Sequence, residues 1–509
     1  IPLLKQWYQR RVHGERGKRV VQWVRIMSMA GVTLALPRLM AIKSHDKGDY
    51  LGYIHDHSNQ EANGYLTFTQ TQVPTVYSQF EVERGGKDGT VHIRSRRNNK
   101  YWVRTQNPSI TGKQEEENWI TATAPEKEDD RTKDSCTLFK PIQVDPDKKT
   151  VRFVHVQSGC YLCLWRVDKE PFTRSVLANY KSYDSHSCDI FTVVDWDSLL
   201  ILPKYVAFKG DNDGYLRRRV IEGNPYLQFD GDDIGDSTVV QEIFTVEDGI
   251  IRIKNVSGGR FWRRSPTWIL VDSDDSGSGD KDTLFLPFKV DSRTIGLLSM
   301  GNGYFCKRLT GAGRTSCLNA AVTSITREVR LIVEEPVVSR TVYDVDYDLD
   351  NARIYDQTLV ILSKNSAANH GHQPSSLDVK LSYTDTKTRT WHSMLSLNLK
   401  AATSMSFGVA EIAEGSIKMS ADFESKVEWG NTNTITTVLE VVHTVVVPAM
   451  TRVTVNLVAT KGTCDVPFTL MQKDTLYTGK TVSSEVHGTY VGSNYYYTGF
   501  ETTEEKLKA

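Results

Sequence analysis

Residues 98–104 read NNKYWVR, and residues 258–264 read GGRFWRR. Each stretch follows a short run in which apolar and polar residues alternate, VHIRS at 91–95 and IRIKN at 251–255. Alternation with a period of two is typical of a β-strand with one buried face. Neighbouring residues of a strand point to opposite faces. We therefore predict that one ring of each aromatic pair fills a core while the other reaches the surface.

The two stretches belong to a longer internal repeat. Three further elements recur in the same order, namely Leu36-Pro37 and Leu202-Pro203, Trp119-Ile120 and Trp268-Ile269, and Thr137-Leu138-Phe139 and Thr283-Leu284-Phe285. Between them, Phe80-Glu81-Val82-Glu83 aligns with Phe244-Thr245-Val246-Glu247. Self-similarity in a fixed order indicates a duplicated domain. We predict that residues 34–197 and 198–335 are two copies of one domain.

Each copy also repeats within itself. An aromatic residue followed by a second large apolar residue recurs at Tyr50-Leu51, Tyr101-Trp102, Tyr161-Leu162, Tyr215-Leu216, Phe261-Trp262 and Tyr304-Phe305. Short alternating runs separated by Gly, Asn and Asp indicate strands and turns throughout. Three β units per copy favour a threefold barrel, the β-trefoil, over a sandwich, because a closed barrel leaves no strand edge exposed. The fold class is therefore predicted to be all-β.

The two copies resemble the amaranthin-type plant agglutinins, which carry two such lectin domains in tandem. The resemblance is carried by NNKYWVR, GGRFWRR and the paired openings L-P-[RK]-x-x-A-x-K at residues 36–43 and 202–209. It implies recognition of galactose or N-acetylgalactosamine on glycans. It also implies a sugar site that lies between domains of two associated chains.

Sugar sites combine flat aromatic rings with amide or carboxylate groups that bond hydroxyls. In the first copy the turn before the aromatic pair supplies such groups, whereas the second copy has Ser257-Gly258-Gly259-Arg260 and has lost the amides. We therefore predict the better sugar site in the first copy. The full set of candidate carbohydrate-binding residues is Asn98, Asn99, Lys100, Tyr101, Trp102, Trp119, Trp262 and Trp268.

From residue 336 to 509 the repeat stops and long alternating runs rich in Thr, Ser and Val begin, such as TRVTVNLVAT at 451–460. This pattern predicts an elongated β domain. Inside it lies SMSFGVAEIAEGSIKMSADF, residues 404–423, with two arms around a predicted turn at Ala413-Glu414-Gly415. Each arm has about nine residues, which is close to the length of a tilted membrane-spanning strand.

Alternation along these arms predicts a lipid face and a lumen face of a membrane barrel. The predicted membrane face comprises Met405, Phe407, Val409, Ile417, Met419, Ala421 and Phe423. The predicted pore lumen comprises Ser404, Ser406, Ser416, Lys418, Ser420 and Asp422, and the same alternation puts Gly408 and Ala410 on that polar face. A single hairpin has unpaired edges in lipid, so several chains must contribute to one barrel. The alternative is an amphipathic hairpin in a soluble sheet.

The long strands around this hairpin resemble the aerolysin-type pore-forming toxins over residues 337–509. That resemblance implies a soluble monomer, a homo-oligomer on a membrane and insertion of one hairpin per chain. Together, the two resemblances predict a lectin that forms pores in plant defence or stress. A second hypothesis is a non-lytic glycan-binding stress lectin whose third domain only mediates oligomerisation. A third is a glycan-processing enzyme.

Composition and motifs restrict the other function classes. Lys plus Arg and Asp plus Glu both number 62, so no net charge attracts the chain to nucleic acid, and we expect no nucleic-acid partner. Common catalytic and nucleotide-binding motifs are missing in a fitting context, so we expect no catalytic residue, no cofactor and no enzyme. The loop at 272–280 lacks the Glu of a calcium loop, and His370 and His372 have no obvious third ligand, so we expect no metal.

Residues 1–33 form a predicted basic N-terminal extension. The chain has no run of about 18 apolar residues and no clear secretory signal. Its seven cysteines are too few for a disulfide scaffold. Cys160 and Cys163 lie on a predicted strand, which points their sulfurs to opposite faces. We therefore expect reduced thiols, a cytoplasmic protein when soluble and membrane association when assembled.

Overall fold

The computed structural model describes residues 36–508 except for 46–47, 56–58, 71–74, 87, 108, 113–117, 148, 184–185, 247, 275–276, 278, 394–406 and 425–428. The side chains of residues 407 and 421–424 are also outside the description. The predicted N-terminal extension, 1–33, lies outside the described residues. Within them the regular structure is β-strand with short 3-10 turns at Gln60–Ala62, Val76–Ser78, Trp196–Ser198, Lys281–Thr283, Arg327–Val329 and Leu349–Asn351.

The first copy folds into one 12-stranded sheet. Its strands are β1 Leu39–Ser44, β2 Tyr50–Tyr53, β3 Leu66–Gln70, β4 Phe80–Arg84, β5 Val91–Ser95, β6 Tyr101–Gln106, β7 Asn118–Ala124, β8 Phe139–Asp145, β9 Thr150–His155, β10 Cys160–Trp165, β11 Ser175–Tyr180 and β12 Phe191–Asp195. Strands β1, β4, β5, β8, β9 and β12 pair in a closed ring, and β2–β3, β6–β7 and β10–β11 are hairpins. This arrangement is a β-trefoil, as predicted.

The second copy repeats the arrangement in a second 12-stranded sheet. Its strands are β13 Tyr205–Lys209, β14 Tyr215–Ile221, β15 Asn224–Gly231, β16 Gln241–Thr245, β17 Ile251–Asn255, β18 Arg260–Ser265, β19 Trp268–Ser273, β20 Phe285–Lys289, β21 Thr294–Ser299, β22 Phe305–Gly311, β23 Arg314–Val322 and β24 Leu331–Glu334. Strands β13, β16, β17, β20, β21 and β24 close the second ring. The duplicated fold inferred from the sequence is therefore present.

The aromatic pairs begin the second strand of each four-strand unit. A β-bulge interrupts the pairing at this position in all six units. The second residue of the pair then points into the barrel, where Trp102 and Trp262 are 1% and 0% exposed. The Trp102 ring packs edge to face against Phe80 and Phe139, with ring centroids 5.2 and 5.8 Å apart. The prediction that one ring of each pair fills the core is confirmed for these two units. The prediction that the other ring reaches the surface is wrong for both, since Tyr101 and Phe261 are 4% and 8% exposed.

The structure corrects two assignments in the second copy. In its third unit the bulge lies between Phe305 and Cys306, so the core position belongs to Cys306 and the pair is shifted by one residue from Tyr304-Phe305. In its first unit the strand register places Gln241 where the first copy has Phe80, because both residues pair with the barrel strand at equivalent positions. Phe244 is consequently 36% exposed. The Gln241 side chain instead accepts a hydrogen bond from the Trp262 indole at 3.0 Å.

The residue two positions before each pair has a positive φ angle. These six residues are Gly48 at 76°, Asn99 at 54°, Gly159 at 67°, Asp213 at 60°, Gly259 at 66° and Gly303 at 72°. This left-handed region favours Gly and, among other residues, Asn and Asp. The turns NNK and GGR therefore both place a residue that tolerates a positive φ angle, Asn99 or Gly259, at the same position. The fold alone accounts for Asn99.

The third domain is built on very long strands. Its strands are β25 Val337–Tyr347, β26 Arg353–Asn369, β27 Ser375–Ser393, β28 Phe407–Ala413, β29 Ser416–Glu424, β30 Thr432–Val447, β31 Thr451–Leu476 and β32 Thr481–Lys506. β31 pairs with β32 along nearly its whole length and with β25 and β26 on its other side. β27 pairs with β30 over residues 375–390 but with β32 only over 388–393. The sheet thus divides at one end into two layers around an apolar core.

Seven cysteines are distributed over the three domains. Cys163 is bonded to Cys188, so the expectation of reduced thiols is wrong for this pair. Cys160 is free and packs in the barrel core, and the remaining free and buried cysteines are Cys136, Cys306, Cys317 and Cys464. Cys160 and Cys163 therefore have different surroundings and are not bonded to each other.

Among the residues that the structure describes, no helix has the length and hydrophobicity needed to cross a membrane.

Candidate functional site

The predicted membrane hairpin is a separate two-stranded sheet, formed by β28 and β29. Its turn has two residues, Glu414 and Gly415, with φ angles of 52° and 73°. Two positive φ angles in succession are typical of the tight turn that joins twisted antiparallel strands. The structure therefore shortens the turn predicted at residues 413–415, and Ala413 pairs directly with Ser416.

The two-residue turn sets the register of the two arms. Ile412 pairs with Ile417 and Ala410 with Met419, whereas Val409 pairs with Ser420 and Glu411 with Lys418. Directly paired residues of antiparallel strands share a face. In this register, Ala410 and Ile412 lie on the face of the predicted membrane residues Ile417 and Met419, so Ala410 is not on the polar face where the alternation puts it. Val409 lies with Ser416, Lys418 and Ser420, which differs from its predicted place among the membrane residues.

Part of the predicted hairpin cannot be placed. Ser404, Met405 and Ser406 lie outside the described residues, as do the side chains of Phe407, Ala421, Asp422 and Phe423. Of the others, Met419 is 43% exposed, and Ser416 and Lys418 are also exposed, whereas Val409 is fully buried. The division into lipid and lumen faces stays a prediction for the assembled state.

The hairpin packs on the third domain through β28. Val409, Ala410 and Ile412 are 0, 1 and 2% exposed and join a core cluster with aromatic side chains of β27, β31 and β32. Complete burial of each Val or Ile side chain stabilises the packed state by about 1.5–3 kcal/mol. Gly462 of β31 lies directly under Ile412, since a Cβ atom there would be 3.0 Å from the Ile412 Cδ1 atom. The absence of a side chain at Gly462 thus allows the close approach.

Three polar contacts fix the same strand. Asn494 of β32 donates to the Ile412 carbonyl at 2.9 Å and accepts from the Ile412 N–H at 3.0 Å. The Glu411 carboxylate lies 2.9 Å from Lys387 Nζ and 3.0 Å from Arg389 Nη2 of β27. The Tyr347 hydroxyl donates to the Gly408 carbonyl at 2.9 Å. We call Lys387, Arg389, Tyr347 and Asn494 the hairpin dock.

The turn predicted to bind sugar is an interdomain contact. Asn98 and Asn99 are 8% and 4% exposed. The Asn98 amide donates to the Ala122 carbonyl at 2.9 Å and its oxygen accepts from the Lys100 N–H at 3.1 Å. The Asn99 amide donates to the Asn351 carbonyl of the third domain at 2.7 Å. Both amides are engaged, so this turn is not open to a sugar in the described arrangement.

Charged side chains surround the same contact, which we call the junction cluster. Asp465 of β31 is 1% exposed and lies 3.2 Å from Arg353, 3.6 Å from Arg96 and 3.8 Å from Arg94. Arg94 is fully buried and also bonds Glu81. Burial lowers the pKa of Arg94. Asp465 of the third domain thus meets the opposite charges of Arg94 and Arg96 of the first trefoil, and this contact joins the two domains.

The carboxylates of the junction cluster are held in their charged form. Burial alone would raise the pKa of Glu81, but Arg94, Arg96 and Arg38 outweigh burial and leave that pKa below its ordinary value. The pKa of Glu83 is also lowered, since Lys127, Tyr101 and Arg353 counter the effect of burial. Cluster stability thus depends on ionised carboxylates.

Most of the aromatic sugar candidates are buried. Trp102 and Trp262 fill the barrel cores, and Trp119 is 0% exposed, with its indole N–H donating to the Asn107 carbonyl at 3.1 Å. Tyr101 is 4% exposed and donates its hydroxyl to Glu83 at 3.0 Å, and burial raises its pKa to about 12. Trp268 keeps partial exposure, with the Arg314 guanidinium 5.7 Å from its ring. Among the eight candidates, the structure brings Asn98, Asn99, Lys100, Tyr101 and Trp102 together, but all of these except the half-buried Lys100 are buried.

Sequence reasoning missed both the hairpin dock and the junction cluster. Asn99 contacts Asp465, which is 366 residues further along the chain, and no local pattern identifies such a partner. The one available signal was the density of arginine around the turn, at residues 94, 96 and 97, in a strand whose alternation puts position 94 on a different face from position 93. Within the described part of the chain, no group of three His, Cys, Asp or Glu side chains is placed to hold a metal ion.

Comparison with protein families gives two matches. A model of the agglutinin domain matches residues 34–195 and 200–334. A model described as Clostridium epsilon toxin ETX/Bacillus mosquitocidal toxin MTX2 matches residues 331–506. A search of curated proteins finds no match.

Several solved structures are similar in outline. The hemolytic lectin CEL-III is 10% identical, and the match covers 91% of this chain and 93% of that one with a TM-score of 0.30. The lamprey immune protein is 12% identical over 70% of this chain and 87% of that one, with a TM-score of 0.29. A mosquitocidal holotoxin is 8% identical over 61% and 35%, with a TM-score of 0.27. These scores are low, so the likeness carries no conclusion about the sites.

Proposed function

Because the chain belongs to the agglutinin-domain family, with two such domains joined to a toxin domain of the ETX/MTX2 type, we propose that it is a glycan-guided pore-forming protein. In this proposal the trefoils bind galactose- or N-acetylgalactosamine-type glycans on a membrane. Several copies then assemble, and the hairpin at about residues 404–423 of each copy enters a common β-barrel. Such a protein would serve in plant defence or stress.

The observation that carries the proposal is that the hairpin formed by β28 and β29 belongs to no larger sheet among the described strands. β28 and β29 pair with each other and with no other described strand. They lie against the third domain through buried residues of β28, through Ile417 of β29 and through the hairpin dock. A hairpin that belongs to no larger sheet leaves its place without breaking a ladder of backbone hydrogen bonds. Its register puts Ala410 and Met419 on one face and Glu411 and Lys418 on the other, which fits a hairpin with one apolar and one polar face.

A feature of β30 supports assembly into a homo-oligomer. Among the described strands it pairs only with β27, so its other edge is unpaired. Its outer face carries Val438, Val442 and Val446, which are 69, 57 and 68% exposed. An exposed apolar edge strand is a template for pairing with another chain. Binding several glycans on one membrane raises the local concentration of chains and so favours this pairing.

Dye release from vesicles tests the proposal. Vesicles that carry galactosylated lipid should leak with the wild-type chain, whereas a chain lacking residues 404–423 should bind them without leakage. A second variant, Met419→Lys, keeps the hairpin intact, because Met419 is already 43% exposed in the soluble form. It should leak much less, since a lysine at the bilayer midplane costs about 2–4 kcal/mol per chain.

The same experiment separates the proposal from the non-lytic alternative. If the wild type and the deletion variant both bind the vesicles and release equally little dye, the chain is a glycan-binding lectin whose third domain only assembles it. If vesicles without galactosylated lipid leak at the same rate as vesicles with it, glycan binding by the trefoils does not direct the chain to the membrane.

A further inference from the structure

A cavity of about 850 Å³ opens on the first trefoil, away from the turn at 98–100. Its lining comes from the end of β1, from β10 and from the segment between β11 and β12. None of its lining residues belongs to the second trefoil or to the third domain. Cavities of about 300–1,000 Å³ are typical of small-ligand sites, so the volume is large enough for more than one sugar ring.

Aromatic side chains form much of the cavity wall. The Trp165 and Tyr180 rings lie 5.7 Å apart at an interplanar angle of 38°. The Tyr161 and Tyr183 rings meet edge to face at 6.3 Å. Tyr180 and Tyr183 are 44% and 65% exposed, in contrast to the buried aromatic residues of the turn at 98–100. Rings of this kind offer flat faces to the apolar side of a pyranose.

The wall is held in place before any ligand binds. The Cys163–Cys188 disulfide joins β10 to the segment that carries Tyr183. Arg152 donates to the buried Asp189 carboxylate at 2.9 Å, and its guanidinium lies 4.8 Å from the centre of the Tyr183 ring. A prearranged wall loses little conformational entropy on binding, which favours recognition of weakly bound ligands.

Polar groups accompany the rings. His45, Arg166 and Ser182 line the same cavity and are exposed, so donors and acceptors for sugar hydroxyls stand beside the aromatic faces. The corresponding third unit of the second copy lacks the disulfide, since Cys306 and Cys317 are free. The wall braced by a disulfide is thus a feature of the first copy.

We propose that this cavity is a glycan-binding site that takes an oligosaccharide by stacking its rings on Tyr180 and Tyr183. The inference rests on the proposed glycan-binding function and adds where on the chain the glycan binds. It also explains why the turn at 98–100 can be committed to the third domain without loss of sugar recognition. No residue of the junction cluster lines the cavity, so an occupied cavity leaves the domain contact intact.

Binding to an immobilised array of galactose- and N-acetylgalactosamine-terminated oligosaccharides tests the inference. Tyr183→Ala and Tyr180→Ala in the full chain should each lower the affinity for the glycans that the wild type binds by roughly tenfold. Tyr304→Ala is the matched control, because Tyr304 is a similarly exposed tyrosine in the third unit of the second copy. Unchanged thermal unfolding of all three variants shows that they are folded.

The outcomes distinguish this inference from the proposed function. If the wild type binds glycans and both cavity variants bind them equally well, the site lies elsewhere and only this inference fails. If the wild type binds no glycan on the array, the proposed function fails as well. An equal loss in the Tyr304→Ala control would also contradict a site confined to the cavity.

Discussion

Glu411 is the hairpin residue that is held to the third domain by charge. Its partner Arg389 has a side chain that is only 5% exposed, so loss of the carboxylate leaves a buried cation with weaker compensation. A hydrogen bond to a charged group contributes about 1.5–3 kcal/mol. Glu411→Gln should therefore favour release of the hairpin by roughly 10- to 100-fold. The measurement is the rate of dye release from galactosylated vesicles.

Glu414→Gln is the matched control for this prediction. Glu414 lies in the turn of the same hairpin, is exposed, and pairs only with Lys418 of the hairpin itself at 2.6 Å. Its loss should leave the rate of dye release nearly unchanged. Equal rates for Glu411→Gln and the wild type would show that the ion pair does not restrain the hairpin.

Asn99 shows what a single residue does and does not reveal. The sequence shows two amides before an aromatic pair, and this pattern fits both a sugar site and a left-handed turn. In the structure Asn99 has a left-handed φ of 54°, and its side-chain amide donates a hydrogen bond to the Asn351 carbonyl. A comparison of all six turns could have identified the backbone requirement, because Gly or Asp stands at the same place in the other units. The contact with the third domain depends on tertiary packing and could not have been predicted.

At the scale of the element, the strands were predictable and their register was not. Alternation in VHIRS and IRIKN predicted β5 and β17, and the spacing of the aromatic pairs predicted three units per barrel. The alignment of Phe80 with Phe244 was wrong because it matched one aromatic residue to another, whereas the pairing with β13 puts the polar Gln241 at the position of Phe80. Alternation also predicted the two arms of the hairpin. The sequence around Glu414 and Gly415 is compatible with a turn of either two or three residues, so it did not determine the register of the arms.

The length of that turn leads to a prediction about the pore. A shift of one residue moves every side chain of a strand to the other face. We expect the two-residue turn at Glu414 and Gly415 to persist in the membrane, since its two positive φ angles match the twist of the strands. Ile412 would then face lipid and Val409 the lumen. Single cysteines labelled with a polarity-sensitive fluorophore report the environment of each position in the assembled pore.

Two positions in the second arm serve as references. Met419→Cys should report lipid and Lys418→Cys should report water, because both the sequence pattern and the present register place them there. The fluorophore at Ile412→Cys should report lipid, as at Met419→Cys. The fluorophore at Val409→Cys should report water, as at Lys418→Cys. The reverse assignment would mean that the hairpin changes to a three-residue turn at 413–415 during insertion.

At the scale of the whole molecule, contacts among the described residues join each pair of domains. Lys43 of the first trefoil lies 2.9 Å from Asp248 of the second, and Tyr205 of the second packs with Leu476 of the third. The junction cluster joins the first trefoil to the third domain near Asp465. In the proposed function, glycan binding on the trefoils would act on a third domain that these contacts already fix to them.

Removal of the Asp465 charge tests whether the junction cluster stabilises the folded chain. Asp465→Asn keeps the size of the side chain but leaves Arg94, Arg96 and Arg353 with less negative charge. Breaking a buried ion pair costs about 3–5 kcal/mol, so the midpoint of thermal unfolding should fall by roughly 5–15 °C. Asp378→Asn, at an exposed position of the same domain, is the control and should change the midpoint little. An equal midpoint for Asp465→Asn and the wild type would contradict a stabilising junction.

The junction should also weaken in acid, and the sign follows from the lowered pKa of Glu81. That carboxylate is charged in the folded chain at pH values where the unfolded chain would protonate it, near about 4.3. Its contribution to stability is therefore complete above about pH 5 and is lost as the pH falls through the lower pKa of the folded state. The groups that face it are Arg38, Arg94 and Arg96. Glu81→Gln should be less stable than the wild type at pH 7.

Comparing the thermal midpoint of the wild type with that of Glu81→Gln separates the contribution of Glu81 from that of the other carboxylates. The midpoint of thermal unfolding is measured for the wild type and for Glu81→Gln from pH 7 to pH 3. The gap between the two midpoints should be constant down to about pH 5 and should narrow below about pH 4, because protonation gives the wild type the same uncharged side chain. Glu126→Gln, at an exposed position of the first trefoil, should show no gap at any pH. A gap for Glu81→Gln that stays constant across the whole range would contradict an ionised Glu81 as the stabilising form, and the junction would then resist acid.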